Sequence, residues 1–266
     1  MAHTSFTPAW FARSPHAQTI LGRLLRPRKL VRLEREIVET PDGDELVLDH
    51  LRGEGTRFLL LHGLEGSSSS AYVQGVLSLV AKRGCSATAI NFRSCARMNR
   101  RPRLYHSGET DDFDFVVRTL HARMPSTRLA AFGASLGGNI LLKWLGEHPD
   151  QTLLAAAATV SVPYDLGAGA RYLERGAGPL YVARFLRTMK KKFQSVVARF
   201  PDMPVDLRRA KRARTFREFD DAATAPLHGF KDADDYYTRS SSLQYLGRIR
   251  TPTLCISAED DPFLPR

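Results

Sequence analysis

The sequence predicts an α/β fold, a mostly parallel sheet covered by helices and interrupted by a helical insertion. Three observations carry this. Short continuous apolar runs recur at 58–61, 87–91, 128–132, 155–162 and 252–257. Helical stretches at 71–83, 112–123 and 138–148 separate most of them. From 163 to about 247 the alternation gives way to a long helical pattern. Strands apolar on both faces are buried on both faces, and alternation with helices makes their sheet parallel.

At 266 residues and 43% hydrophobic content, the chain can bury a sizeable core as one domain with an insertion. The expected division is a core of 1–163 and 248–266 with a helical cap of 164–247. Cys85, Cys95 and Cys255 are too few and too scattered for a disulfide framework, and no Cys/His spacing suggests zinc. The N-terminus carries Pro8, Arg13 and Pro15 and lacks the apolar stretch of a signal peptide. The longest apolar stretch, 153–162, is too short to span a bilayer. A reducing, cytoplasmic setting is the expectation.

Taken in order, the first forty residues read as irregular, with Phe6, Trp10 and Phe11 as anchors. Segments 31–39 and 45–51 flank a Pro41-Asp42-Gly43 turn and predict an antiparallel hairpin. The run 59–61 enters a turn, His62-Gly63-Leu64-Glu65-Gly66. The run 128–132 enters Gly133-Ala134-Ser135-Leu136-Gly137, and a helical stretch follows. A serine on a sharp strand-to-helix turn needs small neighbours, and the two glycines supply them. That turn lifts the Ser135 hydroxyl out of the sheet, at a helix N-terminus where negative charge is stabilised.

Ser135 is therefore the candidate nucleophile. It needs a base for its proton and amide donors for an oxyanion. The N–H of Leu136, directly after it, is one expected donor; the N–H of Leu64, in the turn after the third strand, is the other. The run 253–257 leads into Ala258-Glu259-Asp260-Asp261-Pro262, where an acid could orient an imidazole. Asp261 is favoured over Asp260. Triads on such a scaffold run Ser, then acid, then His, yet the chain has no histidine after His228. His62 reads as shaping its turn; His106 stands ahead of a helix that Ser107 or Thr110 would cap; His228 lies in the insertion.

In the insertion, Val182, Phe185, Leu186, Met189, Phe193, Val196, Val197 and Phe200 recur at helical spacing, with Lys190-Lys191-Lys192 assigned to the polar side. Net charge is +11, and its source is local. Residues 171–217 hold fourteen Lys/Arg against three Asp/Glu, so the rest of the chain balances.

These features together resemble the YheT-like branch of the α/β-hydrolases, the AB hydrolase type 4 family. The matching stretches include Ser14-Pro15-His16-Ala17-Gln18-Thr19, His62-Gly63-Leu64-Glu65-Gly66-Ser67-Ser68, Tyr105-His106-Ser107-Gly108 and Ser135-Leu136-Gly137-Gly138-Asn139. They continue with Glu218-Phe219-Asp220-Asp221, His228-Gly229-Phe230, Asp234-Asp235-Tyr236-Tyr237 and Asp260-Asp261-Pro262-Phe263. The resemblance implies hydrolysis of short- to medium-chain acyl esters or acylglycerols, without a cofactor, by Ser135 and Asp261. It also implies a further strand, a His-bearing loop and a closing helix beyond this chain. The expectation is a serine esterase scaffold, C-terminally truncated, that is inactive as a 266-residue chain for want of its base. The alternative is a non-catalytic binding protein whose basic cap contacts anionic surfaces or nucleic acid. Without interleaved aromatic residues, nucleic acid is the less expected partner; peripheral contact with an anionic membrane would suit a lipid ester substrate.

Overall fold

The computed structural model describes residues 7–25 and 30–265. Seven strands form one sheet: β1 (Glu34–Glu39), β2 (Glu45–Leu51), β3 (Glu54–Leu61), β4 (Cys85–Asn91), β5 (Leu129–Ala134), β6 (Leu154–Val160) and β7 (Thr253–Ile256), in the order β1-β2-β4-β3-β5-β6-β7. β1 and β2 are the expected hairpin; β2 also pairs antiparallel with β4. All pairings from β4 to β7 are parallel. β3 begins four residues before the apolar run that announced it, because Glu54 to Arg57 extend the ladder beyond the core.

Helices α2 (Ala71–Lys82), α3 (Asp111–Arg123) and α4 (Leu136–Glu147) connect the parallel strands. α3 opens on Asp111, Asp112 and Asp114 and ends on Arg123, charges that complement the helix dipole. Thr110 stands at its N-cap position, but its hydroxyl donates to Glu147 Oε2 of α4 instead. One core forms under α3 and α4, from Leu59, Leu61, Phe113, Val116, Ile140 and Trp144 among others. The other sheet face packs Leu60, Ala87 and Ala89 against Val73, Leu77 and Val80 of α2.

The N-terminal segment departs from expectation. Pro15–Leu24 is a helix, α1, with Ser14 Oγ accepting the Ala17 N–H at 3.1 Å and proline in the first turn. Trp10 and Phe11 are not anchors: they are 80% and 52% exposed. Phe6 lies outside the described residues.

Between β6 and β7 the chain is helical: α5 (Leu166–Tyr172), α6 (Gly178–Arg199), α7 (Leu207–Arg212), α8 (Phe216–Phe219), a π-helical turn (Asp220–Thr224), α9 (Ala225–Leu227), α10 (Ala233–Ser240) and a 3₁₀ segment (Ser242–Arg248). The inner face of α6, with Val182, Leu186, Phe193 and Val196, closes a separate core with Met203, Ala210 and Phe219. The 3₁₀ segment lies on α4, where a Cβ at Gly146 would sit 2.5 Å from Tyr245. β7 lies at the sheet edge, with Leu254 and Ile256 exposed.

A buried ion cluster fixes the hairpin to the parallel sheet. Arg93, 2% exposed at the end of β4, donates to Asp42 and Asp44 of the hairpin turn, each at 2.9 Å, and to both Asp112 oxygens on α3. Removing the guanidinium would leave Asp44 and Asp112 buried and unpaired. Arg93→Met should therefore lose ~3–5 kcal/mol of stability. Urea unfolding checks this; a loss below about 1 kcal/mol would put the cluster in the class of exposed pairs.

Candidate active site

The elbow between β5 and α4 presents Ser135 at φ 51°, ψ −119°, a conformation that L-residues avoid and that costs of order 1–3 kcal/mol. Its neighbours hold it there. Ser135 N–H donates to Val160 O at 2.9 Å, and Asn139 N–H donates back to Ser135 O at 3.0 Å. A Cβ at Gly133 would meet Gly137 O at 2.6 Å, and one at Gly137 would meet Leu61 O and His62 O at 2.5 Å. The helix can start at Leu136, two residues earlier than the apolar pattern suggested, only because these positions lack side chains. Among the described residues, the Ser135 hydroxyl has no hydrogen-bond partner.

The turn after β3 runs against the serine: a Cβ at Gly63 would lie 3.3 Å from Ser135 Cβ. Leu136 follows the serine directly, so the structure brings Ser135, Leu136 and the Gly63-Leu64 turn together. Gly63 N–H donates to Tyr72 Oη at 2.6 Å, and Glu65 N–H to Tyr105 Oη at 2.8 Å. These bonds flank Leu64 and fix its peptide. Glu65 itself takes φ 56°.

His62 belongs to the frame of this turn. Its Nδ1–H donates to Gly63 O at 2.7 Å, and its Nε2 accepts the Phe92 N–H at 3.2 Å. With both ring nitrogens committed, it has none for a proton relay.

Sequence reasoning missed the groups behind the turn. Lys192 is not on the polar side of α6; it reaches inward to Glu65 Oε1 at 2.7 Å and Cys95 Sγ at 3.2 Å. Tyr105 Oη donates to the same Glu65 oxygen at 3.0 Å. Burial opposes the Lys192 charge, but Cys95 and Glu65 outweigh it and raise its pKa. The signal was available in part, because Lys192 falls one residue from the apolar position Phe193 on an amphipathic helix. A cavity of about 40 Å³ opens beside this network, lined by Leu64, Leu104, Met189, Phe193, Phe219 and Leu227.

Asp261 lies in the turn after β7, half-buried, where Oδ1 accepts the Phe263 N–H at 2.9 Å. Asp260 is exposed. β7 stands two places from the serine strand in the sheet. Phe263 packs on Tyr181 of α6, with ring centroids 4.7 Å apart. Among the described residues, no histidine bonds to Asp261 or to Ser135.

The His106 and His228 rings touch with centroids 4.4 Å apart and planes tilted by 59°, beside a polar cavity of about 670 Å³. Together with Glu109 they bring three donor atoms within 4.8 Å. The arrangement is a poor metal site. Glu109 Oε2 is held by Arg103 at 2.7 Å, and His106 Nδ1 accepts the Gly108 N–H at 3.1 Å. That bond leaves the His106 proton on Nε2, the nitrogen that faces Glu109, whereas a metal-bound imidazole carries its proton on the opposite nitrogen.

Residues 56–266 match the α/β hydrolase fold family. The chain is 38% identical to YheT of Escherichia coli (strain K12) over 256 residues, 94% of this chain and 75% of that protein. It is 32% identical to Phospholipase ABHD3 of Bos taurus over 279 residues, the whole of this chain and 67% of that one. The Monoacylglycerol lipase of Saccharomyces cerevisiae is 32% identical over 234 residues, 85% of this chain and 51% of the yeast protein. Among the described residues, no helix is long and apolar enough to cross a membrane.

The three buried imidazoles make stability depend on pH. Burial lowers His62 and His228 to about 4 and His106 well below its ordinary value. Below about pH 6.5, where a free imidazole charges, the unfolded state binds more protons than the folded one. Their stabilisation is complete above that pH and is lost as pH falls towards 4. Asp220 and Glu109 act in the opposite sense: burial raises Asp220 to about 6 and Glu109 above its ordinary value, so their contributions fade as pH rises. With three groups against two, the urea midpoint should fall between about pH 7 and 5; a level or rising midpoint would mean that the histidines are charged in the folded protein. Sheet topology, elbow and sequence matches converge: the chain belongs to the α/β-hydrolase fold family and is, by family, a carboxylic ester hydrolase.

Proposed function

We propose that this chain is the scaffold of a serine hydrolase of carboxylic esters, with Ser135 as nucleophile and Asp261 as the triad acid. The observation that carries the reading is the strained elbow at Ser135 facing the Leu64 turn. The serine hydroxyl would attack the ester carbonyl and form an acyl-enzyme, which water then cleaves. The Leu64 and Leu136 N–H groups would hold the oxyanion, donors fixed in advance by the Tyr72 and Tyr105 bonds and by the start of α4. Segment 164–247 serves as a cap over a core of 1–163 and 248–266, and the apolar cavity against Leu64 suits the first carbons of an acyl chain. Short- to medium-chain acyl esters or acylglycerols are the substrate class. The relatives named phospholipase and monoacylglycerol lipase support acyl lipids in particular.

Residues 1–266 supply no base in this reading. His62 is committed on both nitrogens; His106 and His228 touch each other by their rings, and neither bonds to Ser135 or Asp261. Loss of the base from a triad costs on the order of 10⁶-fold in kcat, while the oxyanion hole and binding alone retain roughly 10³–10⁴-fold over water. The test is p-nitrophenyl butyrate hydrolysis by the mass-verified 266-residue protein, with Ser135→Ala as control. Turnover no more than ~10⁴-fold above water is the expected result. Fast turnover abolished by Ser135→Ala would overturn the missing base while keeping the nucleophile; fast turnover untouched by that substitution would overturn Ser135 itself.

A further inference from the structure

We infer that the outer face formed by α1 and the start of α6 docks on an anionic lipid bilayer. This deepens the reading of an acyl-lipid hydrolase by giving the cap its surface, but it rests on observations separate from the catalytic site. The first observation is apolar. Trp10, Leu24, Leu25 and Leu180 are 80%, 71%, 64% and 77% exposed, values at which a lone leucine is unremarkable but a group is not. One contact joins the two helices that carry or follow them: His16 Nδ1 meets Tyr181 Oη at 2.9 Å, linking the start of α1 to the start of α6 next to Leu180. His16, Ile20 and Leu24 fall at i, i+4 and i+8, so the α1 face that leaves this junction carries Ile20 and Leu24, both exposed.

The second observation is charge. The outward stripe of α6 begins at Leu180 and continues with Arg184, Arg187 and Lys191, all exposed and, among the described residues, in no ion pair. The opposite face of the same helix is buried in the cap core. α6 is therefore amphipathic in an unusual sense: its inner face is satisfied, and its outer face is cationic with an apolar end. Exposed apolar side chains followed along α6 by Arg and Lys are complementary to an anionic bilayer, which takes both; a phosphate backbone rewards the cations and leaves Leu24 and Leu180 in water. That difference selects lipid over nucleic acid.

Trp10 supplies its own probe. The chain has two tryptophans, and Trp144 is fully buried with its Nε1–H on Asp114, so any spectral change on binding reports Trp10. The experiment mixes the 266-residue protein at low salt with vesicles of phosphatidylcholine alone, or of phosphatidylcholine with phosphatidylserine, and records co-sedimentation and Trp fluorescence. Binding to the anionic vesicles with a blue shift is the expected result. Arg184→Ala/Arg187→Ala/Lys191→Ala should weaken it by roughly fivefold for each charge removed, about two orders of magnitude in all. Leu24→Ser/Leu180→Ser should leave electrostatic attraction but abolish the blue shift. All five positions are exposed, and an unchanged urea midpoint verifies that the variants fold. No binding to anionic vesicles at low salt, binding indifferent to the charge triple, or binding to duplex DNA in place of vesicles would each overturn the proposal. Ser135→Ala binds vesicles like the parent if docking is independent of catalysis, so failure of the esterase reading and failure of this one are distinguishable.

Discussion

A serine held at φ 51°, ψ −119° can persist only where its surroundings leave it no alternative. Here the constraint is steric. Strand β5 runs so close to the first turn of α4 that Gly133 and Gly137 have no room for a side chain, and α4 so close to the turn after β3 that Gly137 nearly touches two of its carbonyls. The same approach sets Leu136 and the Leu64 turn on either side of the serine. The serine's geometry, the helix start and the position of the Leu64 turn thus follow from one close contact. The rest of the sheet acts as its support: β6 accepts the Ser135 N–H through Val160, and the Arg93 cluster ties the hairpin turn to the end of β4 and to α3.

The cap is coupled to that support by a charged group in an otherwise apolar place. Lys192 leaves the cap core and reaches Glu65, the residue after Leu64. A buried ion pair adds little to stability once desolvation is counted, because each charge had water to lose. Its value lies in placement. Glu65 sits in the left-handed region, where an unsupported side chain gives the turn several escapes; Lys192 and Tyr105 both grip its carboxylate and select one. A shift of α6 would therefore be felt at the Leu64 amide. Helix α6 and the Leu64 turn are joined through this pair, although Lys192 and Glu65 lie 127 residues apart in the chain.

What the sequence made legible follows from how local the signal is. The parallel strands could be read from apolar runs because burial on both faces leaves no polar alternation to interpret, and the elbow because its glycines are dictated by contacts within a few residues. Helix α1 could not be read this way. Its stripe of Ile20 and Leu24 faces outward, so the usual link between apolar periodicity and a buried face misleads. Lys192 was assigned to solvent with its neighbours because a run of three lysines gives no hint which one turns inward; only the position of Glu65, fixed by tertiary structure, decides it. The buried pair of His106 and His228 was equally hidden, since one comes from before α3 and the other from after α9. Charge clusters built from distant segments have no local periodicity to betray them.

The placement of Asp261 shows how far the cap's influence extends. β7 pairs with β6 over four residues at the edge of the sheet, so the strand alone is a weak anchor for the turn that follows. The turn is fastened from the other side. Phe263 packs against Tyr181 of α6, and Tyr181 in turn holds His16 of α1. The carboxylate stands between the end of a short strand and an aromatic contact with the cap. Its position is set jointly by core and cap, as Leu64 is through Lys192. The Leu64 turn and Asp261 are therefore both tied to α6, whose inner face packs a core of its own and whose outer face is cationic.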